Sequence, residues 1–208
     1  VKEGISDGYF DDGERMEKLD VIFAKRYIDA WFDWKDGKEV TQSWKRAFEA
    51  NGQYWPTVMQ HLLLGMNAHI NLDLGIAAAE TAGKENIEFL EGDFNRINEI
   101  LSALVEEVQH SLSGIWPPLK WILSRSKKID NYLTDFSMEL ARDGAWKFST
   151  EIAGTLGEEL EAKIRGRDQK VSQKADIVTR PGRFFTFILG IIRLGETGSV
   201  SSKIRRMK

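Results

Sequence analysis

The chain has 208 residues, enough for one domain with a sizeable core, and its 42% hydrophobic and 29% charged content excludes a disordered segment or a linker. Lys plus Arg number 29 against 32 Asp plus Glu, a net charge of −3, so no overall positive field exists to hold a polyanion and no nucleic-acid partner is expected. Cys is absent, which excludes disulfides, thiolate metal sites and a cysteine nucleophile, and leaves His, Asp, Glu, Asn and water as the available metal ligands.

No basic-then-apolar leader opens the sequence and no apolar run reaches the roughly 18 residues of a membrane span, so a cytoplasmic protein is the expectation. The four prolines, Pro56, Pro117, Pro118 and Pro181, leave long stretches of helical periodicity with almost no strand-like alternation. The expected class is all-α: a single-domain multi-helix bundle around a buried central helix at about 56–82. Helices are predicted at 13–34, 42–50, 56–82, 94–114, 117–125, 130–154, 157–178, 183–193 and 199–206. Residues 1–182 form the expected bundle. Residues 183–208 add to the same domain an apolar docking helix and a basic tail carrying Lys203, Arg205, Arg206 and Lys208.

In the first helix Met16, Leu19, Phe23, Tyr27, Ala30 and Trp34 make an apolar stripe, and Asp20 falls within it beside Tyr27, so Asp20 is expected to point inward. Thr41 is placed to N-cap the second helix, and Pro56 suits the first turn of the third. That third helix, QHLLLGMNAHINLDLGIAAAE from Gln60, is apolar on nearly every side, the mark of a helix buried in the middle of its domain. Projected at about 100° per residue, His69, Asp73 and Glu80 share one narrow stripe, with His61 about a quarter turn from His69, while Gln60, Asn67 and Asn71 share another.

Buried polar side chains need partners, and a lone buried carboxylate is the most costly of them. His69 and Asp73, four residues apart, can reach one point beside the helix, the geometry by which two side chains share a metal ion. Asp20 from another helix would add a further ligand between bundle helices. The alternative reading of the same residues is a buried hydrogen-bond network in which Asp73 holds His69, with Asp20 paired to an arginine such as Arg142 or Arg167.

Asp143 and Asp168 lie at the edges of the apolar stripes of their helices and read first as interface ion pairs, with Asp143 a candidate support for the site. His110 reads as solvated and Asp93 as an N-cap. No phosphate-binding glycine loop, nucleophile elbow or His-Glu-x-x-His occurs, and Glu107-Val108-Gln109-His110 is a Glu-x-x-His without the twin a di-iron bundle requires.

The central block QHLLLGMNAHINLDLGIAAAE, with LDVIFAKRYIDA before it and DFNRIN and ARDGAW after it, resembles a bacterial helical family known only as a domain of unknown function. The resemblance covers most of the chain and implies a domain-sized helical unit without naming a reaction. A weaker likeness is to zinc-dependent phospholipases C and S1-type nucleases, in which a His-x-x-x-Asp pair on a helix binds zinc; His69 and Asp73 match that pair. Those enzymes use several further histidines and an N-terminal Trp, whereas this sequence holds three histidines and opens on Val1, so the likeness implies one or two metals rather than three.

The leading expectation is therefore a small metal-dependent enzyme, hydrolytic in its simplest form, acting on a small-molecule substrate. His61, His69, Asp73 and Asp20 would hold one divalent Zn, Fe or Mn ion, with Asp20, Tyr27 and Glu80 as catalytic groups and Asn67, Asn71 and Asp143 in support. The competing expectation is a non-catalytic helical module for an apolar small molecule, lipid or protein. It rests on seven Trp, eleven Phe and the apolar Phe184–Ile192 segment, with the basic tail available to touch an anionic membrane surface.

Overall fold

The helix apolar on every side does run through the middle of the protein. The structure is a computed structural model that describes residues 2–83, 86–97, 99–100 and 138–196. Its elements are α1 (Lys2–Ser6), α2 (Gly13–Lys35), α3 (Gln42–Asn51), α4 (Val58–Ala68), a π-helical turn at His69–Asp73, α5 (Leu74–Ala82), a short 3-10 turn at Ile87–Leu90, α6 (91–97), α7 (Met138–Ile152), α8 (Gly157–Thr179) and α9 (Arg183–Gly195). The described residues contain no strand, and the protein is all-α. The helices expected at 117–125 and 199–206, most of 94–114, the start of 130–154, His110 and the basic tail lie outside the described residues.

α4, the π turn and α5 form one continuous central rod, which starts at a complete capping box: the Thr57 side chain accepts from Gln60 N, and Gln60 Oε1 accepts from Thr57 N. Pro56 therefore precedes the cap rather than opening the first turn. Each face of the rod meets a different partner. Leu63 and Leu64 pack on Ala50 of α3 and on Ala175 and Val178 of α8. Ile70, Leu74, Ala77 and Ala78 meet Met16 and Leu19 of α2, Phe94 of α6, and Ala141 and Ala145 of α7. Leu72 and Ile76 meet Phe148, Ile152 and Val171, and Ala68 meets Trp44 and Phe48. Burial on every side explains the lack of a polar face, since each fully buried Leu or Ile contributes about 1.5–3 kcal/mol relative to exposure.

The amide stripe is the seam to α8. Gln60 Nε2 donates to Val178 O (2.8 Å), Asn67 Nδ2 donates to Val171 O (2.8 Å), and Asn71 O accepts from Arg167 Nε (2.9 Å). The first numbers rise as the second fall, so the two helices run antiparallel in one register. Asn71 Nδ2 also donates to Asn67 Oδ1, and Lys174 Nζ reaches Asn71 Oδ1 at 3.4 Å. Asn67 and Asn71 thus support packing, as their place on the rod predicts.

Two carboxylates far along the chain act as caps. Asp168 of α8 is buried and accepts from Gln42 N (2.7 Å) and Ser43 N (2.9 Å) at the start of α3, so it does the work expected of Thr41, whose side chain makes no cap bond. Its partners among the described residues are these backbone N–H groups, where the pattern pointed to an interface ion pair. A buried negative charge beside two unsatisfied helix N–H groups complements the helix dipole, and Asp168→Ala should cost about 1–2 kcal/mol in urea unfolding. Glu196, just past α9, accepts from Val58 N at the start of α4, and Leu189 and Ile192 of α9 bury beside Met59. The late apolar segment docks on the body as expected.

Candidate functional site

Asp73 is 1% exposed and receives three donors. Arg26 Nε lies 2.9 Å from Oδ1, Trp44 Nε1 lies 2.8 Å from Oδ2, and His69 Nδ1 lies 3.2 Å from Oδ2. Arg26 Nη1 also reaches Glu80 Oε1 at 3.6 Å, so the stripe His69, Asp73, Glu80 is gathered around one guanidinium supplied by α2. The charge that α2 contributes is a cation, where the sequence pattern pointed to the carboxylate of Asp20. Asp20 is exposed and takes no part. The reason lies in the position of the buried stripe of α2. It centres on Leu19, Phe23 and Ala30 with Arg26 on one flank, which leaves Asp20 roughly 80° from its middle.

His69 is clamped by rings. Phe23 stacks on it at 3.7 Å between centroids with an interplanar angle of 7°, and Tyr27 and Trp44 stand at 6.0 and 5.8 Å. Tyr27 is 45% exposed and its ring lies 5.2 Å from Trp44. Trp44 stacks in turn on Phe48 at 5.1 Å. The imidazole is held flat with Nδ1 on the carboxylate, which fixes its orientation through Asp73. His69 and Asp73 are the first and last residues of the π turn, a wide turn that often accompanies specialised sites in helices.

Among the described residues no group of three or more His, Asp or Glu side chains is arranged to hold a metal. His61 is half-buried one α-helical stretch before the π turn and does not complete such a set with His69, Asp73 and Asp20. Both Asp73 oxygens already face N–H donors, one of them a cation, so the carboxylate is neutralised by Arg26 without an ion. Asp143 is exposed on α7, whose buried face is Ala141, Arg142, Ala145, Phe148 and Ile152, so it supports nothing at the site. Asp93 is buried and accepts from Asp11 N, Asp12 N and Arg96 Nη1, which ties the segment before α2 to α6.

Glu80 lines a cleft of about 470 Å³ between the end of α5 and the α7–α8 turn. Its walls are Ile76, Ala79, Ile152, Leu160 and Ile164, and the turn beyond carries Gly154 and Gly157 at φ +74° and +61°, conformations that favour glycine, with Leu156 exposed between them. Neither the turn nor the cleft is foreseeable from a helix projection, because the cleft lies where three elements fail to close. Of the cations near the rod, Arg167 and Lys174 have pKa values lowered by burial, and Arg167 lowers Lys174 further.

No curated protein and no solved structure matches the chain. A model described as a family of unknown function, DUF5995, matches residues 1–181 and ends just before α9. With the match spanning most of the chain and including the central rod with its π turn, the protein belongs to this helical family of unknown function.

Proposed function

We propose that the protein is a binding module for a small, largely apolar molecule carrying a basic group, seated in the cleft at Glu80. The observation that carries this reading is the cleft itself: about 470 Å³, within the usual range for small-molecule pockets, walled by aliphatic side chains with one carboxylate. Arg26 with Asp73 and Glu80 leaves one negative charge in excess, and Glu80 is its outward end. The buried Asp73 network has a plain purpose in this reading, since it anchors the guanidinium that orients Glu80. A metal-dependent hydrolase at His69 and Asp73 is the second reading; it is weaker because Asp73 is engaged by Arg26 and Trp44 and no third ligand stands near among the described residues.

The test compares octylamine, octanol and octanoate by isothermal titration calorimetry. Octylamine should bind best and octanoate worst, and Glu80→Gln should remove most of that difference while leaving the fold intact, since Glu80 is half-exposed. Leu160→Trp, which fills the cleft, should weaken all three. Equal affinities for amine and carboxylate, or indifference to Leu160→Trp, would rule the reading out.

A further inference from the structure

On another side of the α7–α8 pair lies a second cleft of about 360 Å³, and its chemistry is opposite. Lys147 of α7 and Lys163, Arg167 and Lys170 of α8 face it, against the single carboxylate Glu151. Lys163 is engaged, with Glu159 at 3.0 Å and the Glu151 carbonyl at 3.1 Å. Lys147 and Lys170 are exposed and form no ion pair among the described residues. Arg167 is the fixed member. Its Nε donates to Asn71 O, and its guanidinium lies over the Phe148 ring at 5.4 Å. Its Nη2 is buried with no hydrogen-bond partner among the described residues.

A buried guanidinium N–H without an acceptor is costly, and a rigid one beside free lysines is a waiting anion site. Two glycines keep the space open. Gly144 stands where a Cβ would come within 3.0 Å of Arg167 Nη2, and Gly166 has nothing within 4 Å of where its Cβ would be. The charge sum is specific: four cations less Glu151, and less Glu159 on Lys163, leave two positive charges. A phosphate monoester carries about −1.5 to −2 at neutral pH, with three acceptor oxygens that cations from two helices can approach together. The cavity exceeds a bare tetrahedral anion, so space remains for an organic body.

We infer that this cleft is a phosphate-binding site that takes the phosphate group of a small molecule. The residues are distinct from those of the Glu80 cleft, so the inference stands or falls separately. Lys147 and Lys170 close on the phosphate oxygens from the two helices, and the fixed Arg167 guanidinium adds its charge at the wall between them.

The intact protein is titrated with inorganic phosphate and with glycerol 3-phosphate, at ionic strength held constant with sodium chloride, with succinate as the carboxylate comparison. Both phosphates should bind and raise the melting temperature, and succinate should do so weakly. Tighter binding of glycerol 3-phosphate assigns the site to a phosphorylated metabolite, and equal binding assigns it to the free ion. Lys147→Gln with Lys170→Gln, two exposed positions that leave circular dichroism unchanged, should weaken phosphate about tenfold or more. Gly144→Ala, which crowds Nη2, should weaken it with the lysines in place. Phosphate binding unchanged in the double variant, no binding at millimolar concentration, or succinate binding as tightly as phosphate would overturn the inference.

Discussion

Asp73→Asn should lower the free energy of unfolding by about 2–4 kcal/mol. Asp73 has donors at both oxygens: Arg26 Nε at one, Trp44 Nε1 and His69 Nδ1 at the other. An amide keeps the volume but supplies one acceptor, so its NH₂ must face either the guanidinium or the indole. It also strips the charge that balances Arg26, whose next carboxylate, Glu80, is 3.6 Å away and half-exposed. Asp73→Ala should cost more, about 3–5 kcal/mol, because it leaves Arg26 partly buried without its close partner. Urea unfolding followed by Trp fluorescence measures both variants, and the same curves with and without chelator separate the two readings of the pair. The network predicts identical midpoints for wild type with and without chelator. A chelator-dependent fall in wild type that disappears in Asp73→Asn would restore a metal at His69 and Asp73.

The helices were legible where apolar periodicity is enforced by burial. The rod at 58–82 reads clearly because Leu64, Ala68, Leu72 and Ala77 face different neighbours and none tolerates a polar group. Its polar exceptions were legible for the same reason, and Asn67, Asn71, Asp73 and Gln60 are all buried and bonded. What the pattern could not show is the partner. Asp20 and Arg26 lie on opposite flanks of one stripe, and a long arginine can bury its stem while reaching inward, so projection alone misassigns which of the two turns in. The π turn is hidden for a different reason: one extra residue shifts the helical phase, but in a helix apolar all round both phases look alike. Asp168 is hidden by distance, since capping α3 from α8 joins positions 42 and 168, which no local pattern connects.

The same rod offers a prediction of opposite signs at two glycines. At Gly75 a Cβ would lie 2.8 Å from Ala145 O and 3.0 Å from Phe148 Cδ1. The first obstacle is the backbone of α7, so relief requires moving a helix rather than turning a side chain. Replacing glycine inside a helix normally gains up to about 1 kcal/mol in propensity. Overpacking a tight contact costs about 1–3 kcal/mol, and a β-branched side chain that cannot rotate away costs at the upper end or beyond. Gly75→Ala should therefore destabilise modestly and Gly75→Val by about 3 kcal/mol or more. Gly65 sits ten positions earlier in the same rod, and nothing lies within 4 Å of where its Cβ would be. Gly65→Ala should stabilise, by up to about 1 kcal/mol, because it gains propensity without a clash. Thermal and urea unfolding of Gly65→Ala and Gly75→Val beside wild type measure both shifts. If both substitutions shift stability in the same direction, the close approach of α5 to α7 is not what glycine at 75 serves.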